Sequence, residues 1–143
     1  MSIGKLVPTP IHDTDHADAI LEVAFLMSAV DGHLADEELA AFKELIAKVR
    51  GKSVAPKEDL DNLLERFVVA AHTVGVDERV REVAKTIPKE LREMAFKIAV
   101  GLSLVDHEES EFEDEMVGTL GAAFELGERA ITLAKEASAA IAD

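Results

Sequence analysis

Apolar residues recur at three- and four-residue intervals through most of the chain, and no stretch alternates with the period of two expected of a half-buried strand. The pattern predicts an all-α fold of about seven helices. The first spans about Asp15 to Val30, with Ile20, Ala24, Met27 and Asp31 on one face, and Gly32 is placed to end it in a left-handed turn. The second spans about Asp36 to Arg50, with Leu39, Phe42, Leu45, Ile46 and Val49 as its stripe. Lys48 and Arg50 suit the negative end of its dipole, and Gly51 follows. Pro56 opens the third, about Lys57 to His72, which buries Leu60, Leu63, Leu64, Phe67, Val68 and Ala71. His72 then serves as a dipole partner in its last turn. The fourth covers about Asp77 to Thr86 and buries Val80, Val83, Ala84 and Ile87. Beyond Pro88 the fifth runs from about Lys89 to Val105, with Leu91, Ala95, Ile98, Ala99, Leu102 and Asp106 in line. The sixth, about Ser110 to Leu126, buries Met116, Val117, Leu120 and Phe124. The seventh, about Glu128 to Ala142, uses Ala130, Ile131, Leu133, Ala134, Ala137 and Ile141. Short connections make consecutive helices antiparallel neighbours. Residues 1–14, which carry two prolines and show no period, read as a flexible or extended lead-in, and residues 15–143 as one compact helical domain.

The pattern also repeats. At an offset of 75 residues Ala24 falls on Ala99, Ser28 on Ser103, Val30 on Val105, Asp31 on Asp106, Glu38 on Glu113 and Leu45 on Leu120. Two copies of one helix-hairpin unit imply a duplication. Each copy sets an Asp at the end of one apolar stripe and a Glu at the start of the next. Asp31, Glu38, Asp106 and Glu113 therefore lie at the edge of the predicted core, at the hairpin turns. An Asp at a helix C-terminus is unfavourable unless something compensates, and clustered carboxylates repel. If the copies face each other across a pseudo-twofold, a divalent cation shared by the four acids removes that conflict. Oxygen ligands without thiolate favour calcium or magnesium; recruitment of His33 or His107 would tilt the site towards zinc or manganese.

Structural readings compete. Ser110 and Glu113 form a capping box, of which the first copy keeps only Glu38 because Ala35 replaces the serine. The aspartates could accept hydrogen bonds from the free N–H groups of the next helix. Asp31, Gly32, Leu34 and Glu38 match the second half of an EF-hand loop, but Met27 and Ala29 occupy its first two ligand positions, which excludes that motif. Further upstream, His12 and His16 lie one turn apart among Asp13, Asp15 and Asp18; capping by Asp13 or Thr14 explains that cluster better than a metal does.

Composition narrows the function. A formal net charge of -14 without a basic stripe excludes nucleic acid as a partner and favours cations and basic protein surfaces. The absence of cysteine excludes thiolate chemistry and suits a cytoplasmic setting. The longest apolar run, Val23 to Val30, is too short to span a bilayer, and the N-terminus lacks the layout of a signal peptide. No nucleophile–base constellation or phosphate loop is present, so a carboxylate-based, metal-dependent hydrolase ranks below a non-enzymatic domain. A metal-free helical interaction module is the other alternative.

The two hairpins, Asp31-Gly32 through Glu38 and Asp106 through Glu113, resemble the acidic motifs of the TerB-like tellurite-resistance family. The segment Phe124-Glu125-Leu126-Gly127 before a last helix is similar to that family too, and the likeness covers most of the chain from Ala17 onward. His107 stands where the family has glycine. The resemblance implies a compact seven-helix domain, divalent-cation binding by these acids, and a role in metal or oxyanion stress. It also implies partners among other tellurite-resistance proteins, membrane proteins included, which would hold the domain at the periphery of the inner membrane. Self-association is left open.

Overall fold

The computed structural model describes residues 3–7, 11, 13–28, 36–50, 57–104 and 114–142. Among them are seven α-helices and no strand: α1 (Thr14–Ser28), α2 (Asp36–Arg50), α3 (Lys57–Val74), α4 (Val76–Ala84), α5 (Lys89–Leu104), α6 (Asp114–Ala123) and α7 (Arg129–Ala142). The all-α expectation holds. The start of α1 follows ordinary capping chemistry. At α1 the backbone N–H of His16 donates to the Asp13 carboxylate at 3.1 Å, so Asp13 is the cap. Between α3 and α4 the chain turns on Gly75, whose φ of 89° is costly for any side-chain-bearing residue.

The arrangement is centred on two helices. In α1 Ile20, Leu21, Val23, Ala24, Phe25 and Leu26 are all buried, so the helix is covered on every side rather than along the one expected stripe. The same is true of α5, where Ala95, Phe96, Ile98, Ala99, Val100 and Leu102 are buried. The two pack against each other; α2, α3 and α4 surround α1, while α6 and α7 cover α5. Ion pairs fix the direction of α7. Arg92 meets Glu125, Glu93 meets Arg129 at 2.9 Å and Lys97 meets Glu136 at 3.1 Å, in the same order along both segments. Thus α5 and α7 run the same way, with α6 returning between them.

Two expectations give way. The lead-in forms a 3-10 helix at Ile3–Leu6, and Ile3, Leu6 and Val7 are buried in the core. Gly4 N–H donates to the Glu44 carboxylate at 2.7 Å and Ile11 N–H to the Val49 carbonyl at 2.7 Å, tying this segment to α2. Three apolar residues are too few to show a period, so tertiary burial decides here. In α7 the buried face is Ala130, Leu133, Ala134 and Ala137, whereas Ile131 is 47 % exposed. It lies about 100° around the helix from Ala130 and falls off the face.

Glycines inside helices test the packing directly. A Cβ on Gly121 would lie 2.9 Å from the Ala130 Cβ, so glycine permits α6 and α7 to approach. A Cβ on Gly118 would meet nothing within 4 Å. Gly118→Ala should therefore stabilise by about 1 kcal/mol through helix propensity. Gly121→Ala, one turn away, should destabilise by about 1–3 kcal/mol by overpacking. Denaturant midpoints shifting in the same direction for both variants would contradict this account of α6.

Candidate functional site

The first turn of α2 carries Asp36, Glu37 and Glu38, which favours the positive end of the helix dipole. Asp36 and Glu37 are exposed, while Glu38 is only 6 % exposed. The helical period explains the difference: Glu38 lies four residues before Phe42 and seven before Leu45, both fully buried. Its carboxylate thus sits at the inner edge of the core, as the spacing predicts. Phe25 of α1 and Phe42 of α2 approach to 6.1 Å between ring centroids, which sets the register of the α1–α2 hairpin. Glu38 is one turn from that contact, towards the end where α1 stops at Ser28 and α2 begins at Asp36.

Asp31, Asp106 and Glu113 lie outside the described residues, as do His33, His107 and the Ser110 cap. The structure therefore places one of the four predicted acids. Among the described residues no group of three or more His, Asp or Glu side chains is gathered in a way that could hold a metal. The helix bounds do follow the sequence offset: α1 moved by 75 residues would cover 89–103, and α5 is Lys89–Leu104.

A further charged feature escaped the sequence reading. Glu22, in the middle of α1, has a side chain only 8 % exposed. It accepts two hydrogen bonds from Arg79 of α4, from Nε at 2.5 Å and from Nη2 at 3.1 Å. The side-chain hydrogen bond to Glu22 is the main cause that holds the Arg79 guanidinium above its ordinary pKa. The signal available in the sequence was a lone charge within the apolar run Ala19 to Met27. At the offset position stands Lys97, which pairs with Glu136 of α7. At this register each central helix thus carries a charge that pairs with an outer helix. Beside the Glu22–Arg79 pair a groove of about 580 Å³ opens between α3 and α4, lined by Phe67, Val69 and Ala70 and edged by Glu65 and Arg66.

Comparison with known proteins adds one finding. A family model described as Tellurite resistance protein TerB matches residues 17–136, from the first turn of α1 into α7. That span includes all four predicted acids. No curated protein matches the chain, and no solved structure does.

Proposed function

The chain belongs to the TerB family of tellurite-resistance proteins, and from that premise we propose that it is a non-enzymatic domain that binds a divalent cation and acts as a scaffold in metal or oxyanion stress. The observation that carries the reading is the burial of Glu38 at the inner edge of the α1–α2 hairpin. An acid placed there by helix period rather than on the surface suits a ligand better than it suits a solubilising charge. Asp31, Glu38, Asp106 and Glu113 would hold the ion, which would supply positive charge where these carboxylates otherwise repel. Oxygen donors of this kind favour calcium or magnesium, with manganese or zinc as weaker candidates. Other tellurite-resistance proteins are the proposed partners, through basic surfaces attracted to a chain of net charge -14. No helix among the described residues is long and apolar enough to cross a membrane. The proposed setting is cytoplasmic, with any membrane association made through a partner.

A ligand that binds only the folded state stabilises it, by about 2.7 kcal/mol at a hundredfold excess over its dissociation constant. The melting temperature of chelator-treated protein should rise with added calcium or magnesium. The rise should shrink in Asp31→Asn and Asp106→Asn but not in Glu90→Gln, a control at an exposed position of α5. If calcium, magnesium, manganese and zinc all leave the melting curve unmoved, the interaction-module reading takes over. That second reading draws on the groove beside α3 and on Val69, Val74 and Val76, which are exposed around the α3–α4 turn.

A further inference from the structure

Helix α3 carries two stripes. Leu63 and Phe67 are buried and, with Leu64 and Val68 half-buried beside them, hold the helix to the core. The second stripe is Asn62, Glu65, Arg66, Val69 and Ala70, at the i, i+3, i+4, i+7 and i+8 positions of one helix face. It forms a wall of the groove of about 580 Å³ beside the Glu22–Arg79 pair. Val69 is 56 % exposed there, and the small side chain of Ala70 leaves the α3 backbone open to close approach. Val74 and Val76, exposed at the α3–α4 turn, add apolar surface at the end of the same helix.

The charges along this groove cancel except at one end. Glu22 pairs with Arg79. Arg66 reaches Asp18 at 3.6 Å, with its guanidinium 5.9 Å from the centroid of the Phe67 ring. Glu65 lines the groove, and Asp61 stands one turn before it on the same ridge. Neither carboxylate has an ion-pair or hydrogen-bond partner among the described residues. The groove therefore grades along α3, from unpaired carboxylates at the Asp61 end to Val69 and Ala70 at the other.

We propose that this groove takes a basic amphipathic helix of another protein, with apolar side chains over Phe67, Val69 and Ala70 and a lysine or arginine facing Asp61 and Glu65. This deepens the interaction-module reading, on whose groove it rests, and does not require a bound cation. Asn62 to Ala70 covers about 12 Å of helix axis, so the occupant needs only about two to three turns. The described residues offer no strand edge to an extended peptide, whereas a helix laid along α3 meets a stripe of its own period. A second copy would bring its own net charge of -14 against these carboxylates, which selects a cationic segment instead. A contact this small is transient, with a dissociation constant in the micromolar range.

The test uses the full chain in chelator and two fluorescent Leu/Lys peptides of about fifteen residues, long enough to form a helix. One places leucine at i, i+3, i+4 and i+7; the other scrambles the same residues. Binding is read by anisotropy, and its place by backbone amide chemical shifts. The patterned peptide should bind wild type at least about tenfold more tightly than the scrambled one, with shifts clustered over residues 62–79. Glu65→Lys and Val69→Ser should each weaken it about fivefold, and Glu90→Lys, the same charge change on α5, by less than about twofold. All three positions are exposed, and melting curves check that the variants keep their fold. Equal weakening by Glu65→Lys and Glu90→Lys overturns the assignment, because net charge alone then draws the peptide. Shifts that map away from residues 62–79 overturn it and leave an interaction module elsewhere on the chain. A wild type that sediments as a dimer, dispersed by Val69→Ser, gives this face to a second copy and overturns it as well. No binding of the patterned peptide overturns it and leaves the cation reading untouched.

Discussion

Replacing Phe25 with alanine is expected to cost about 3–5 kcal/mol, the range for removing a large aromatic side chain from a packed core. The ring is buried in α1 and lies 6.1 Å from Phe42 of α2 and 5.8 Å from Phe67 of α3, both in tilted geometry. It therefore joins three helices at one point, and tilted pairs add to the effect of simple burial. The loss is serious against a total stability of about 5–15 kcal/mol for an ordinary domain. Its distribution is as telling as its size. Among the described side chains of α3, only Leu63 and Phe67 are buried, so this helix depends on Phe25 more than α5 does. Hydrogen exchange in Phe25→Ala should accelerate over residues 61–74 before it does over α5. A cost below about 1 kcal/mol in denaturant unfolding would mean that the site collapses around the cavity, and the three-helix joint would lose its importance.

The second large effect is expected at Arg79. Removing one member of a buried ion pair leaves the other desolvated and unpaired, typically at about 3–5 kcal/mol. Arg79→Ala should fall at the lower end, because its side chain is 32 % exposed and water can reach the vacated space near Glu22. The paired variant Glu22→Leu with Arg79→Leu should be less destabilised than Arg79→Ala, since no charge is then stranded in α1. Arg79→Lys should restore little, because one ammonium cannot reproduce the two bonds from Nε and Nη2. A double-mutant cycle on chemical denaturation separates these terms. If Arg79→Ala and the double leucine variant lose the same stability, the pair is a surface contact in energetic terms and α4 is held by Val80, Val83 and Ala84 alone.

Element bounds were most legible where polar punctuation brackets an apolar stripe. Asp36 to Arg50 is the same in sequence and structure, because three acids open the helix and Lys48, Arg50 and Gly51 close it. The surroundings of α1 were less legible. Ile20, Ala24 and Met27 do form a stripe, but nearly every residue from Ala19 to Met27 is apolar, and such a run marks a helix covered on all sides. Glu22 interrupts that run, yet its partner is 57 residues away, and no local spacing encodes that distance. Within the candidate site, the inward placement of Glu38 follows from its spacing to Phe42. The burial of the Ser28 hydroxyl with no hydrogen-bond partner among the described residues does not, because it depends on tertiary packing around the end of α1. Gly118 and Gly121 look alike in sequence and differ only in whether another helix stands opposite.

The central pairing of α1 with α5 also bears on how the chain comes off the ribosome. The two helices begin at Thr14 and Lys89, so about half the length of the protein separates the halves of its core. At synthesis rates of roughly 5–20 residues per second, α1 emerges about 4–15 s before its main partner exists. For those seconds a helix that is buried on all sides in the finished fold has only α2, α3 and α4 to shelter it. The nascent N-terminal half is therefore an adhesive species and a natural client for holding chaperones. A ribosome stalled before α5 would release an aggregating fragment rather than a smaller working domain.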